Sequence, residues 1–219
     1  MSLDLLLSHD IPVLKPSDTG NYALELMDEH YLKELPMVLE DDYLALINEN
    51  DLLDWITPES PLSDGDFLNF KPIIAVSNHP FDALNAIHEM NLGILPVIDT
   101  ENKYLGSITR TTLINYLAEN SGLNAPGGII VLEVPPRNYT LYDISRICEN
   151  EDVIITNTSL RTNSEGLLEV TLKINRTIVD PIVASLERHK YIVKEVYGSR
   201  RNDDDLTDNY NLLMNYLDM

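Results

Sequence analysis

Short apolar runs separated by polar turns fill the first half of the chain, and they appear in the same order twice. Leu35-Pro36-Met37-Val38 and Leu95-Pro96-Val97-Ile98 are closed by the polar segments Glu40-Asp41-Asp42 and Asp99 to Lys103. Apolar runs this short, bounded by turn residues, predict buried strands. Tyr43 to Ile47 and Tyr104 to Ile108 predict the strand after each turn. Ahead of each run, Ala23, Leu24 and Met27, and then Ala83, Ala86, Ile87 and Met90, share a face at helical spacing. Val13-Leu14 and Ile73 to Val76 predict a short opening strand before each helix. A last helix starts at Asn48 with Leu52, Leu53 and Ile56 inward, and at Thr109 with Leu113, Ile114 and Leu117 inward.

A displacement of 60 residues lays Pro12-Val13-Leu14 on Pro72-Ile73-Ile74, Ala23-Leu24 on Ala83-Leu84, and Leu35-Pro36 on Leu95-Pro96. One extra residue in the turn makes the displacement 61, which pairs Tyr43-Leu44-Ala45 with Tyr104-Leu105-Gly106, Ile47 with Ile108 and Leu52 with Leu113. The chain therefore carries two β-α-β-β-α units, residues 1–60 and 61–121, joined through Thr57-Pro58-Glu59-Ser60-Pro61. A duplicated unit predicts equivalent packing of its copies about an internal pseudo-twofold axis.

After the linker Ser121 to Gly128 the pattern changes. Ile129 to Val134 predicts a strand, and Tyr139 to Glu149 a helix with Leu141, Ile144, Ile147 and Cys148 inward. Val153-Ile154-Ile155 opens another strand, and Asn163-Ser164-Glu165-Gly166 predicts a hairpin turn. Leu168, Val170, Leu172 and Ile174 alternate with polar residues, as on a half-buried antiparallel strand. Asp180-Pro181 predicts an N-cap and first helical position, with Ile182, Val183 and Leu186 inward, and Tyr191 to Val196 a last strand. The order β-α-β-β-α-β over residues 128–198 is that of a ferredoxin-like split βαβ fold. Residues 199–219 form an acidic tail in which Leu206, Tyr210, Leu213, Met214 and Leu217 recur at helical spacing. The expected fold class is thus mixed α+β and α/β.

The stretches ALELM, LPMV and YLALINENDLL of the first copy, and ALNAI, LPVID and YLGSITRTTLI of the second, resemble the CBS motif. The resemblance covers roughly the first 120 residues, as a tandem pair or Bateman module. It implies two motifs in one compact module, association into a homodimer or higher homo-oligomer, and an adenine nucleotide in the cleft between motifs. The family's ribose acceptor is the Asp of a Ser/Thr-x-x-Asp motif opening the second helix. That position is Asp51 in Asn48-Glu49-Asn50-Asp51, and Thr112 in Thr109-Arg110-Thr111-Thr112. A threonine does not grip a diol as a carboxylate does. Asn48 and Thr109 equally suit helix caps, with Asp51 an acidic first-turn residue. Lys33, where relatives place a basic group, and Arg110, at a helix start, are the candidate phosphate contacts; the counterpart of Lys33 is Gly93. Pro36 and Pro96 complete the expected cleft. Two cations suit AMP or ADP as a regulatory ligand rather than a triphosphate. A ligand-free scaffold for self-association or partner binding is the alternative.

Following a CBS pair, the second half is similar to an ACT domain, and the whole to acetoin-utilisation regulatory proteins. ACT relatives often bind an amino acid near a glycine in the first strand-to-helix loop. Here that loop is Pro135-Pro136-Arg137-Asn138-Tyr139, without glycine.

Composition narrows the rest. The 219 residues include 36 acidic and 15 basic ones, a formal net charge of -21, which repels nucleic acid and anionic membrane faces. No apolar run approaches the ~20 residues of a membrane span, and the first residues lack the basic start of an export signal, so the expected location is cytoplasmic. The single cysteine forms no internal disulfide. No Gly-rich phosphate loop, nucleophile elbow or metal-ligand spacing is present, so neither an enzyme, a metal site nor a resident cofactor is expected.

Overall fold

The computed structural model describes residues 2–199, which divide into two compact units, one up to Leu117 and one from Ala118. The tail expected to form an amphipathic helix from Leu206 lies outside the described residues.

In the first unit each copy builds the same series. The first gives α1 (Gly20–His30), β1 (Glu34–Leu39), β2 (Asp42–Asn48) and α2 (Glu49–Leu53). The second gives β3 (Ile74–Ala75), α3 (Pro80–Met90), β4 (Ile94–Ile98), β5 (Tyr104–Thr109) and α4 (Arg110–Asn120). β1 and β2 pair antiparallel, as do β4 and β5, and β3 lies parallel to β4. The opening strand of the first copy shrinks to a bridge: the Leu14 amide donates to the Pro36 carbonyl at 2.8 Å, and the Val38 amide to the Leu14 carbonyl at 2.8 Å.

The irregularities repeat as faithfully as the strands. Register slips at Met37/Val38 in one copy and at Val97/Ile98 in the other. α1 ends on Tyr31 (φ 55°) and α3 on Asn91 (φ 52°), both left-handed, so that the amides of Leu32 and Leu92 close back on Met27 and Ile87. One continuous core takes Met27, Leu35, Ile47 and Leu52 from the first copy and Ile87, Leu95, Ile108 and Leu113 from the second. Equivalent residues fill equivalent places in it.

The second helices differ from the reading of the repeat. α2 stops after five residues, leaving Ile56 92% exposed and Leu53 exposed, and neither enters the core. Trp55 turns back, its indole edge-on to Phe67 at 5.0 Å and over Gly20, and Pro58 bars a longer helix. Met90 and Ile114 are also exposed.

The second unit folds as β6 (Ile129–Val134), α5 (Leu141–Asn150), β7 (Ile155–Thr162), β8 (Leu168–Ile174), α6 (Asp180–Arg188) and β9 (Ile192–Tyr197). The sheet order β7-β8-β6-β9, antiparallel throughout, is the split βαβ arrangement. Asn163 organises the β7–β8 turn, its side-chain oxygen accepting from the amides of Glu165 and Leu167, while Gly166 takes φ +79°. Ile130, Leu132, Ile144, Ile147, Leu172 and Leu186 pack in the core. Cys148 is a free, buried thiol; burial, with Glu149 adding, pushes its pKa up to about 11. Three local expectations shift. Leu141, at the start of α5, is exposed rather than inward. The residue capping α6 is Val179, and Asp180 is already helical. Tyr191 spends its amide closing α6 on the Leu186 carbonyl, so β9 begins one residue later.

Candidate functional site

Both copies converge on one open cleft of about 650 Å³ at the N-terminal ends of β1 and β4, where the second helices also begin. Tyr31 to Glu34 line it from the first copy; Asn91, Gly93, Ile94 and Thr109 to Thr111 line it from the second. Its frame is symmetric. The Glu49 amide donates to the Lys33 carbonyl at 2.9 Å, and the Arg110 amide to the Gly93 carbonyl at 2.9 Å. Each second helix is thereby tied to the chain just ahead of a central strand.

The expected site residues distribute unevenly around this frame. Lys33, Thr109 and Arg110 line the cleft. Asn48, Asp51 and Thr112 are not among its lining residues, and Pro36 and Pro96 are buried within β1 and β4. Lys33, Asn48, Thr109, Arg110 and Thr112, expected to meet a ligand, have protein partners. Lys33 faces Glu49 at 3.5 Å. The Arg110 guanidinium donates to the Leu92 carbonyl from two nitrogens, at 2.5 and 3.0 Å, and to Asn91 Oδ1 at 3.3 Å, so it closes the end of α3. Asn48 Oδ1 accepts from the Asn50 amide at 2.9 Å. Thr109 Oγ1 accepts from the Thr112 amide at 2.9 Å and shares a second hydrogen bond with the Thr112 hydroxyl at 2.8 Å. Both are helix caps. Asp51 stands exposed in the first turn of α2.

Two features of the cleft escaped the reading of the repeat. Glu34 is only 6% exposed, and its carboxylate accepts from the amides of Gly93 at 2.8 Å and Ile94 at 3.2 Å. Its counterpart in the second copy is Ile94 itself. The signal was available as a charged residue heading an apolar strand. Gly93 is its complement: a Cβ there would stand 3.4 Å from the Glu34 oxygen.

At the turn end of the same strands lies a second pair of cavities, of about 560 Å³ beside Tyr104 and about 400 Å³ beside Tyr43. The two rings stack at 6.2 Å, and Lys71 stands over the Tyr43 ring at 5.7 Å. The Tyr104 hydroxyl meets Ser107 Oγ at 2.9 Å, whereas the buried Tyr43 hydroxyl has no hydrogen-bond partner. The residue that occupies the Ser107 position in the first copy is Leu46.

In the second unit a cavity of about 530 Å³ is lined by Asn138, Asp143, Arg146, His189 and Tyr191 among others. Of the loop between β6 and α5, Pro135 and Asn138 border it and Arg137 does not. Among the described residues, no group of three or more His, Cys, Asp or Glu side chains is arranged to hold a metal ion, and no helix is long and apolar enough to cross a membrane.

A family model for the CBS domain matches residues 3–58 and again residues 67–119. Among solved structures, the chain is similar to the CBS-pair protein CBSX2 from Arabidopsis thaliana, at 22% identity over 54% of this chain and 94% of that one, with a TM-score of 0.48. A structure of CBSX2 in complex with AMP aligns at 22% identity over 54% and 96%, TM-score 0.47. A CBS domain pair/ACT domain protein from Thermotoga maritima aligns at 22% identity over 54% and 98%, TM-score 0.48.

Proposed function

From the tandem pair of CBS domains that this chain carries, at residues 3–58 and 67–119, we propose a regulatory, non-catalytic protein that senses an adenine nucleotide in the cleft of the pair. The carrying observation is that both copies line one cleft of about 650 Å³, a size that suits a nucleotide-sized ligand. Asp51, exposed in the first turn of α2 and not itself lining the cleft, is the ribose acceptor in this reading, with Lys33 and Arg110 facing phosphate. The cation count, set against 36 acidic residues, favours AMP or ADP over ATP. Binding shifts the population of module conformations by differential affinity, which is how a sensor without chemistry acts. The four-stranded second unit reads as an ACT-like domain, and the whole as a cytoplasmic homodimer akin to acetoin-utilisation regulators. An AMP-bound CBSX2 among the similar structures supports the choice of ligand.

One observation favours a ligand-free scaffold instead: Arg110, Lys33 and the Thr109–Thr112 pair already have protein partners. Calorimetry with AMP, ADP and ATP separates the two. Heat with AMP and ADP is expected; none with any of the three at millimolar ligand leaves the scaffold.

A further inference from the structure

Of the carboxylates that enter the cleft region, Glu34 alone is buried there, and it does what a ligand would do. Its Oε2 accepts from two backbone amides, those of Gly93 and Ile94, that border the cleft. The arrangement is one-sided. Ile94, its counterpart, offers no acceptor in return, so the first copy reaches into the second and not the reverse. Lys33 is tied to Glu49, and the Arg110 guanidinium to Leu92 and Asn91, so neither neutralises Glu34 in this structure.

We propose that Glu34 is a built-in occupant of the second-copy side of the cleft. Its carboxylate holds the two donors that the acceptor nitrogens of a purine would otherwise use, and its charge repels a phosphate brought beside it. The cleft then takes one adenine nucleotide per chain, on its first-copy side beside Lys33, although the repeat frames two equivalent places. This rests on the reading of the cleft as a nucleotide site, and the two fall separately.

The test is calorimetric titration of AMP into the full chain, its Glu34→Ala variant and its Glu34→Gln variant, with a thermal melt of each as a control for folding. Wild type is expected to bind one AMP per chain and Glu34→Ala two. Gln keeps a carbonyl acceptor for the same amides but loses the charge, so Glu34→Gln keeps a stoichiometry of one and tightens AMP by about three- to tenfold, an effect that shrinks with salt. Glu34→Ala with wild-type stoichiometry and affinity overturns the proposal. A silent wild type with a binding Glu34→Ala removes the nucleotide-sensing reading but upholds Glu34 as the block. Silence from all three removes both. If Glu34→Ala does not fold, Glu34→Gln decides: unchanged AMP affinity overturns the proposal.

Discussion

The two copies of the CBS repeat carry the same register slip, at Met37/Val38 and Val97/Ile98, and the same left-handed helix end, at Tyr31 and Asn91. Their polar side chains do not follow that equivalence. Glu34 faces Ile94, Lys33 answers to Gly93, Asp51 to Thr112 and Leu46 to Ser107. The shared backbone features are those a common core requires, since each sets where buried apolar side chains meet. Lys33, Gly93, Asp51 and Thr112 lie outside the core, whereas Ile94 and Leu46 are core residues in one copy whose counterparts, Glu34 and Ser107, are buried polar ones. A duplicated fold is kept whole by packing, while each copy is free to specialise in its polar chemistry.

The largest effects should therefore fall symmetrically. Leu35 and Leu95 are both fully buried, in β1 and β4. Leu35→Ala and Leu95→Ala should each destabilise the first unit by about 2–5 kcal/mol, read by denaturant unfolding of the full chain. A cost confined to one copy would break the equivalence of the two halves. The ligand should expose the asymmetry. Asp51→Ala is expected to weaken AMP by about 1.5–3 kcal/mol in calorimetry, while Thr112→Ala leaves AMP affinity unchanged. The reverse ranking places the ligand on the second copy.

Helix caps should sharpen the contrast. Thr109→Ala and Asn48→Ala each remove a cap worth about 0.5–2 kcal/mol. Thr109→Ala should cost more, because it also strips the Thr112 hydroxyl of its partner and opens an eleven-residue helix rather than a five-residue one. Equal melting shifts for the two variants would argue that α4 does not depend on its cap.

Much of this was legible along the chain, because burial writes itself as periodicity. The Leu-Pro strands, the paired tyrosine strands, the Asn163 turn and the order of the second unit all follow from apolar spacing and turn residues. The end of α2 was not legible: Leu53 and Ile56 have helical spacing, but the helix stops at Leu53, where Trp55 turns back onto Phe67 and Gly20. The cleft was half legible. Position along the chain located Lys33, Thr109 and Arg110, but a sequence does not say that Arg110 spends its guanidinium on the Leu92 carbonyl. Glu34 was hidden for a similar reason. Its partners, Gly93 and Ile94, lie a whole repeat away, and the bonds run to backbone amides, which carry no residue identity.

The smallest expected effects concern the tyrosine pair, where the copies should respond with opposite signs. Tyr43 buries a hydroxyl with no partner, so Tyr43→Phe removes an uncompensated desolvation and should stabilise by about 0.5–1 kcal/mol. Tyr104→Phe breaks the bond to Ser107, whose side chain is fully buried, and should destabilise by about 0.5–1.5 kcal/mol. Alkali gives a second readout. Burial, with Tyr104 adding, holds the Tyr43 phenol above the ordinary tyrosine range; burial raises Tyr104 too, partly offset by Ser107. Below about pH 10 both phenols are protonated whether the chain is folded or unfolded, and their full contribution is present. Above that pH the unfolded phenol ionises while the folded one resists, so stability falls as pH rises. Tyr43→Phe should flatten that fall. A melting temperature that drops equally steeply from pH 9 to pH 11 in wild type and Tyr43→Phe would show that the Tyr43 hydroxyl is not buried without a partner.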